Sequence, residues 1–114
     1  MKISENEDLN HMLSAPPLSS ITVGGIERRI ACPPDKFFQE MVELGQDVLA
    51  RKPGAMPPSP FLIAYALLTA GDPLVDWDDV AANISVNQLG QIVREYMRLL
   101  ILWGLKQSQM AGSA

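Results

Sequence analysis

Residues 85–107 read SVNQLGQIVREYMRLLILWGLKQ, and the period of this stretch decides the fold class. Val86, Leu89, Val93, Tyr96, Leu100 and Trp103 recur at alternating spacings of three and four. On a helix those positions line one face. The seam lasts about two and a half heptads, short of what argues for a coiled coil, so packing against other helices of one domain accounts for it. Ser85-Val86-Asn87-Gln88 matches a capping box, with Ser85 as cap and Gln88 reaching back. A helix is therefore expected over about 86–107. Gln91, Arg94, Glu95 and Arg98 give it a polar outer face at first, and from Leu99 to Leu105 that polarity disappears. This turn is expected to be covered on more than one side, by the hairpin, the helix over about 34–51, a second copy or a partner chain, and an exposed apolar patch of this kind marks an interaction site. Leu99, Ile101, Leu102, Trp103 and Leu105 are accordingly the candidate partner-binding residues.

Working back toward the N-terminus, Trp77, Val80, Ala81 and Ile84 predict a short helix over about 76–84. Asp76 can cap it, and Asp78 and Asp79 fall in its first turn, where the helix dipole favours acids. FLIAYALLTA at 61–70 is apolar on every side, which predicts a central, buried helix over 60–70. Ser59 is its expected cap, with Pro60 at the first helical position and Gly71 ending it. The connector 53–60 carries four prolines. Phe37, Met41, Leu44 and Val48, flanked by Phe38, Val42 and Leu49, predict an amphipathic helix over about 34–51. Two short apolar runs, 18–23 and 26–32, flank Gly24–Gly25 and predict a β-hairpin over 18–32. Ile21 and Val23 share one face of its first strand; Ile26 and Ile30 share one face of its second, with Arg28 between them. The expected fold is mainly α, a small N-terminal hairpin followed by a bundle of about four helices. It forms one domain over 18–107, between an arm at 1–17 and a tail at 108–114 expected to be flexible.

Composition limits function. The chain has 114 residues, enough for one domain with a modest core. It is 47% hydrophobic and 19% charged, a globular balance. Only 6% is aromatic, so Leu, Ile, Val, Ala and Met must fill most of the core. Net charge is −4 with nine basic residues and no basic stripe, which argues against nucleic acid. A single cysteine, Cys32, rules out an internal disulfide and points to a reducing, cytoplasmic setting. Glu5, Glu7 and Asp8 near the N-terminus read against a signal peptide. The longest apolar runs, 61–70 and 99–105, are far shorter than the roughly 20 residues that span a bilayer.

The residue types that carry chemistry are scarce. His11 is the only histidine, so a histidine triad or a zinc site lacks its other members. Cys32 has no base nearby in sequence and reads as a small buried apolar residue. Asp72, Asp76, Asp78 and Asp79 form one acidic cluster without the spacing, central Gly or terminal Glu of a calcium loop. Gly24–Gly25 is not followed by a phosphate-loop pattern. No catalytic, cofactor-binding or metal-binding residue is expected, and the chain reads as a non-enzymatic protein-binding factor.

Ile21-Thr22-Val23-Gly24-Gly25-Ile26-Glu27-Arg28, Ala66-Leu67-Leu68-Thr69-Ala70-Gly71-Asp72-Pro73 and Trp77-Asp78-Asp79-Val80 stand in an order that resembles the tail assembly chaperones of long-tailed bacteriophages. The resemblance spans about residues 20–105 in layout. It implies binding of tape measure and tail tube proteins in the host cytoplasm by shielding apolar surface, with no catalytic residues and no cofactor. The Pro-rich connector and the apolar 99–105 stretch depart from the family's pattern. A second expectation is a phage-encoded acidic inhibitor of a host defence complex or enzyme, in which Asp72, Asp76, Asp78 and Asp79 mimic nucleic acid. A homo-oligomer is open under either.

Overall fold

Gly24 and Gly25 take φ of 58° and 81°, the left-handed region in which glycine carries no Cβ penalty. They form the turn between β1 (Ser20–Val23) and β2 (Ile26–Arg29), paired antiparallel with Val23 opposite Ile26 and Ser20 opposite Arg29. The computed structural model describes residues 17–112. Among them, this hairpin is followed by α1 (Asp35–Leu49), α2 (Pro60–Gly71), α3 (Trp77–Asn83) and α4 (Val86–Gly112). The chain is thus mainly α, a two-stranded hairpin followed by four helices.

Local sequence sets the element ends. Ser59 Oγ accepts from Phe61 N at 3.1 Å, and Pro60 opens α2. Asp76 Oδ1 accepts from Asp79 N at 3.3 Å and caps α3. The expected capping box is formed: Gln88 N donates to Ser85 Oγ at 3.1 Å, and Ser85 N to Gln88 Oε1 at 3.0 Å. The Gln88 amide nitrogen also donates to Thr22 O, tying the start of α4 to the hairpin. At the end of α1, Arg51 N bonds Val48 O and Lys52 N bonds Asp47 O, a Schellman closure. It places Arg51 at φ 56°, a conformation that favours glycine.

The hairpin does not stand alone. Beyond β2, Ala31 N donates to Leu67 O on α2 at 3.2 Å, and the Arg28 guanidinium pairs with Asp79 of α3 at 2.7 Å. Ile21, Val23 and Ile30 are buried in the common core with Phe38 and Met41 of α1. Ile63, Ala64, Leu67 and Leu68 of α2, Val80 of α3, and Ile92 and Tyr96 of α4 complete it. Phe38 is its hub: its ring stacks on Tyr96 at 6.0 Å and on Trp103 at 5.6 Å.

Several expectations are corrected. The α4 seam turns on Ile92, fully buried, while Val86 at the first position of the helix is exposed. The helix runs five residues past 107, so 108–112 of the expected tail is helical; Ser108-Gln109-Met110-Ala111 contains no breaker to stop propagation. Ile26, beside the turn, is exposed although it shares a strand face with buried Ile30. On α1, Val42 and Leu49 are exposed, since its buried residues, Phe38 and Met41, lie in its first half. Residues 1–16 of the expected arm lie outside the described residues.

Candidate protein-docking surfaces

Between Met97 and Leu105 the helix α4 presents two different faces. Leu99, Leu100 and Trp103 pack against the core, and the Trp103 indole nitrogen is buried without a hydrogen-bond partner among the described residues. Of the five expected contact residues, Leu99 and Trp103 therefore face inward. Ile101 is half-buried, and Leu102 and Leu105 are exposed at 41% and 51%. Met97, exposed at 41%, joins them one turn before Ile101. Its signal was in the sequence: Met97, Ile101 and Leu105 are spaced by four and share a stripe on a helix.

Beside this surface lies a buried ion pair that the sequence pattern assigned to a solvated face. Arg98 Nε and Nη2 donate to the two Glu95 carboxylate oxygens at 2.9 and 2.7 Å, and Glu95 is only 7% exposed. The hydrogen bond from the guanidinium to Glu95 raises the Arg98 pKa, against the burial that would lower it. Cys32 lies in the same electrostatic neighbourhood. Contrary to expectation it is exposed, because the segment after β2 turns Pro33 inward and Cys32 outward. Its Sγ donates to Pro33 O at 3.4 Å. Partial desolvation and then the Asp35 carboxylate push the thiol up; Arg98 opposes them, and Glu95 and Lys106 add smaller, opposite effects.

The second surface is a groove of about 440 Å³ along α2. Pro33, Pro34 and Phe37 line one wall, and Leu62, Tyr65 and Thr69 the other. The all-apolar helix α2 was expected to be enclosed. Ile63, Ala64, Leu67 and Leu68 are buried, yet Phe61, Leu62 and Tyr65 remain exposed on its outer side. Trp77 braces that side edge-on, 5.4 Å from the Tyr65 ring and 6.5 Å from Phe61. Thr69 Oγ1 is buried here without a partner among the described residues.

The acidic cluster is largely engaged by its own chain. Asp72 Oδ1 accepts from Leu74 N at 3.0 Å, Asp76 caps α3, and Asp79 holds Arg28. Asp78 is exposed. Among the described residues no group of three or more His, Cys, Asp and Glu is placed to hold a metal ion, and His11 lies outside them. No described helix is long and apolar enough to cross a membrane. Comparison of the chain with family models, curated proteins and solved structures gives no match.

Proposed function

We propose that this chain is a non-enzymatic protein-binding factor that covers an apolar helical segment of its partner with the outer side of α4. The observation that carries the reading is the position of Met97, Leu102 and Leu105. They are exposed on the helix whose opposite face is core. Unpartnered apolar side chains on a rigid, anchored helix supply the anchors that helix-docking partners use. In the tail assembly chaperone form of the proposal, the partners are tape measure and tail tube proteins and the host cytoplasm is the setting. The layout resemblance supports that form. The acidic-inhibitor reading draws less support, because local contacts already use Asp72, Asp76 and Asp79.

The test is an affinity pull-down of the tagged chain from phage-infected cells, with the co-eluting proteins identified by mass spectrometry. Recovery of tape measure or tail tube protein, lost in Leu102→Glu/Leu105→Glu, is the expected result. Both side chains are substantially exposed, so that variant should retain its helical circular dichroism and lose under about 1 kcal/mol of stability. A host complex without tail protein would refute the chaperone form. Undiminished capture of tail protein by the variant would remove α4 from the interface.

A further inference from the structure

We propose that the outer side of α4 pairs antiparallel with the same helix of a second copy of this chain, setting Met97 against the Ile101 of that copy. This rests on the reading of that side as a docking surface and names an occupant for it. Gly90, Arg94, Met97, Ile101, Gly104 and Ser108 recur at alternating spacings of four and three. With successive residues turned by about 100°, all six lie about 100–180° around the helix from the inward Trp103. They form a second heptad seam, on the side away from the core. Ile101 is half-buried and the other five are exposed.

The order of residues along the seam selects a second copy. Laid end to end against itself, the seam sets Gly90 against Ser108, Arg94 against Gly104 and Met97 against Ile101. The three pairs share one centre, at position 99, so a single two-fold axis there generates every contact twice, as an isologous interface requires. The longest side chain meets a glycine, and the two apolar ones meet each other, so the helices can approach closely over about 27 Å. The parallel arrangement would instead set Arg94 against Arg94 and each glycine against itself, combining repulsion with gaps. Neither glycine serves packing within its own chain: a Cβ added at Gly90 or Gly104 meets nothing within 4 Å. The one charge in the seam fits the antiparallel sense as well. Helical side chains lean toward their own N-terminus, so Arg94 leans toward the C-terminal turns of the second copy. That end of a helix dipole favours a cation, and α4 has no basic residue in its own last turn. The footprint, about 27 Å long and about 10 Å wide, is on the order of 300 Å² per chain. That is the weak end of specific interfaces, so the pair is exchangeable and a partner segment with more apolar area displaces it.

The test is sedimentation equilibrium of the purified full chain from about 10 μM to about 1 mM, with cysteine cross-linking to read the register. The expected result is a monomer–dimer equilibrium. Met97→Glu should weaken it about tenfold or more with unchanged helical circular dichroism. Leu102→Glu, which lies off the seam, should leave it within about twofold. In a Cys32→Ser background, oxidation of mixed Met97→Cys and Ile101→Cys chains should give the mixed disulfide in excess of its statistical share. A chain still monomeric at about 1 mM would overturn the proposal. So would a dimer that Met97→Glu leaves intact, or a preference for either symmetric disulfide. A monomer that still captures tail protein through Leu102 and Leu105 would overturn self-pairing alone and leave the docking reading standing; a monomer that captures nothing would overturn both.

Discussion

Gly71→Ala is the substitution that most directly tests how the hairpin is joined to the helices. Gly71 ends α2, and a Cβ built there would lie 2.3 Å from the Arg29 carbonyl oxygen and 2.5 Å from its carbon. Both atoms are backbone, so no side-chain rotation relieves the overlap. Ordinary contact begins near 3.4 Å, so the end of β2 must move away by about 1 Å. The Ala31 N to Leu67 O bond is already 3.2 Å and does not survive that displacement. Overpacking costs about 1–3 kcal/mol. Loss of the hydrogen bond adds about 0.5–1.5 kcal/mol. Replacing glycine by alanine in a helix returns about 0.5–1 kcal/mol. The net expectation is a loss of roughly 0.5–4 kcal/mol, measured by urea unfolding followed by circular dichroism with the m-value unchanged. Gly90→Ala is the internal control. It sits within α4 with nothing within 4 Å of an added Cβ, so it should gain about 0.5–1 kcal/mol. A Gly71→Ala variant as stable as its parent would refute the close packing of β2 on α2.

Two further expectations follow from local geometry. Arg51→Gly should stabilise the chain by about 0.5–1 kcal/mol in the same urea assay, because it relieves the left-handed backbone at the Schellman closure of α1; a loss of stability would show that the Arg51 side chain matters more than its φ. Cys32 should alkylate more slowly than a free thiol near neutral pH, and its rate should rise with a midpoint above that of free cysteine, because the raised pKa disfavours the thiolate. The sign for stability follows: the folded chain keeps the proton longer than the unfolded chain, so this contribution is present below the unfolded thiol pKa and is lost as pH rises through the folded one. An alkylation profile at or below that of free cysteine would contradict the raised pKa.

What was legible in the sequence was mostly local. Ser59, Asp76 and the Ser85–Gln88 box act within four residues of themselves, and Gly24–Gly25 makes its own turn, so each could be read from neighbours alone. The misreadings share a different cause, which is contact with a segment distant in sequence. Glu95 and Arg98 look solvated on a helical projection, but they satisfy each other and are covered by the surrounding fold. Gly71 does end α2, as its sequence position indicates, but that the passing backbone of Arg29 leaves no room there for a Cβ was not legible. The groove was invisible for the same reason. An apolar helix signals burial without saying which side its neighbours leave open, and Leu62 and Tyr65 fall on that side.

The docking reading of α4 rests on geometry that side-chain rearrangement cannot undo. Successive residues of an α-helix are turned by about 100°. Trp103 is fixed inward by its stacking on Phe38 at 5.6 Å. Ile101 and Leu105, each two residues away, are therefore turned about 160° from Trp103, and Met97 about 120°. A rotamer change moves a side chain over its own turn of the helix and does not carry it to the opposite face. Rotating the helix to bury Leu105 would withdraw Trp103 and Tyr96 from Phe38 and open the centre of the core. The exposed apolar residues of α4 thus cannot be core side chains caught in the wrong position. Under the proposed function they are covered by a partner's segment, and a stripe on α4 left bare in every complex the chain forms would count against that proposal.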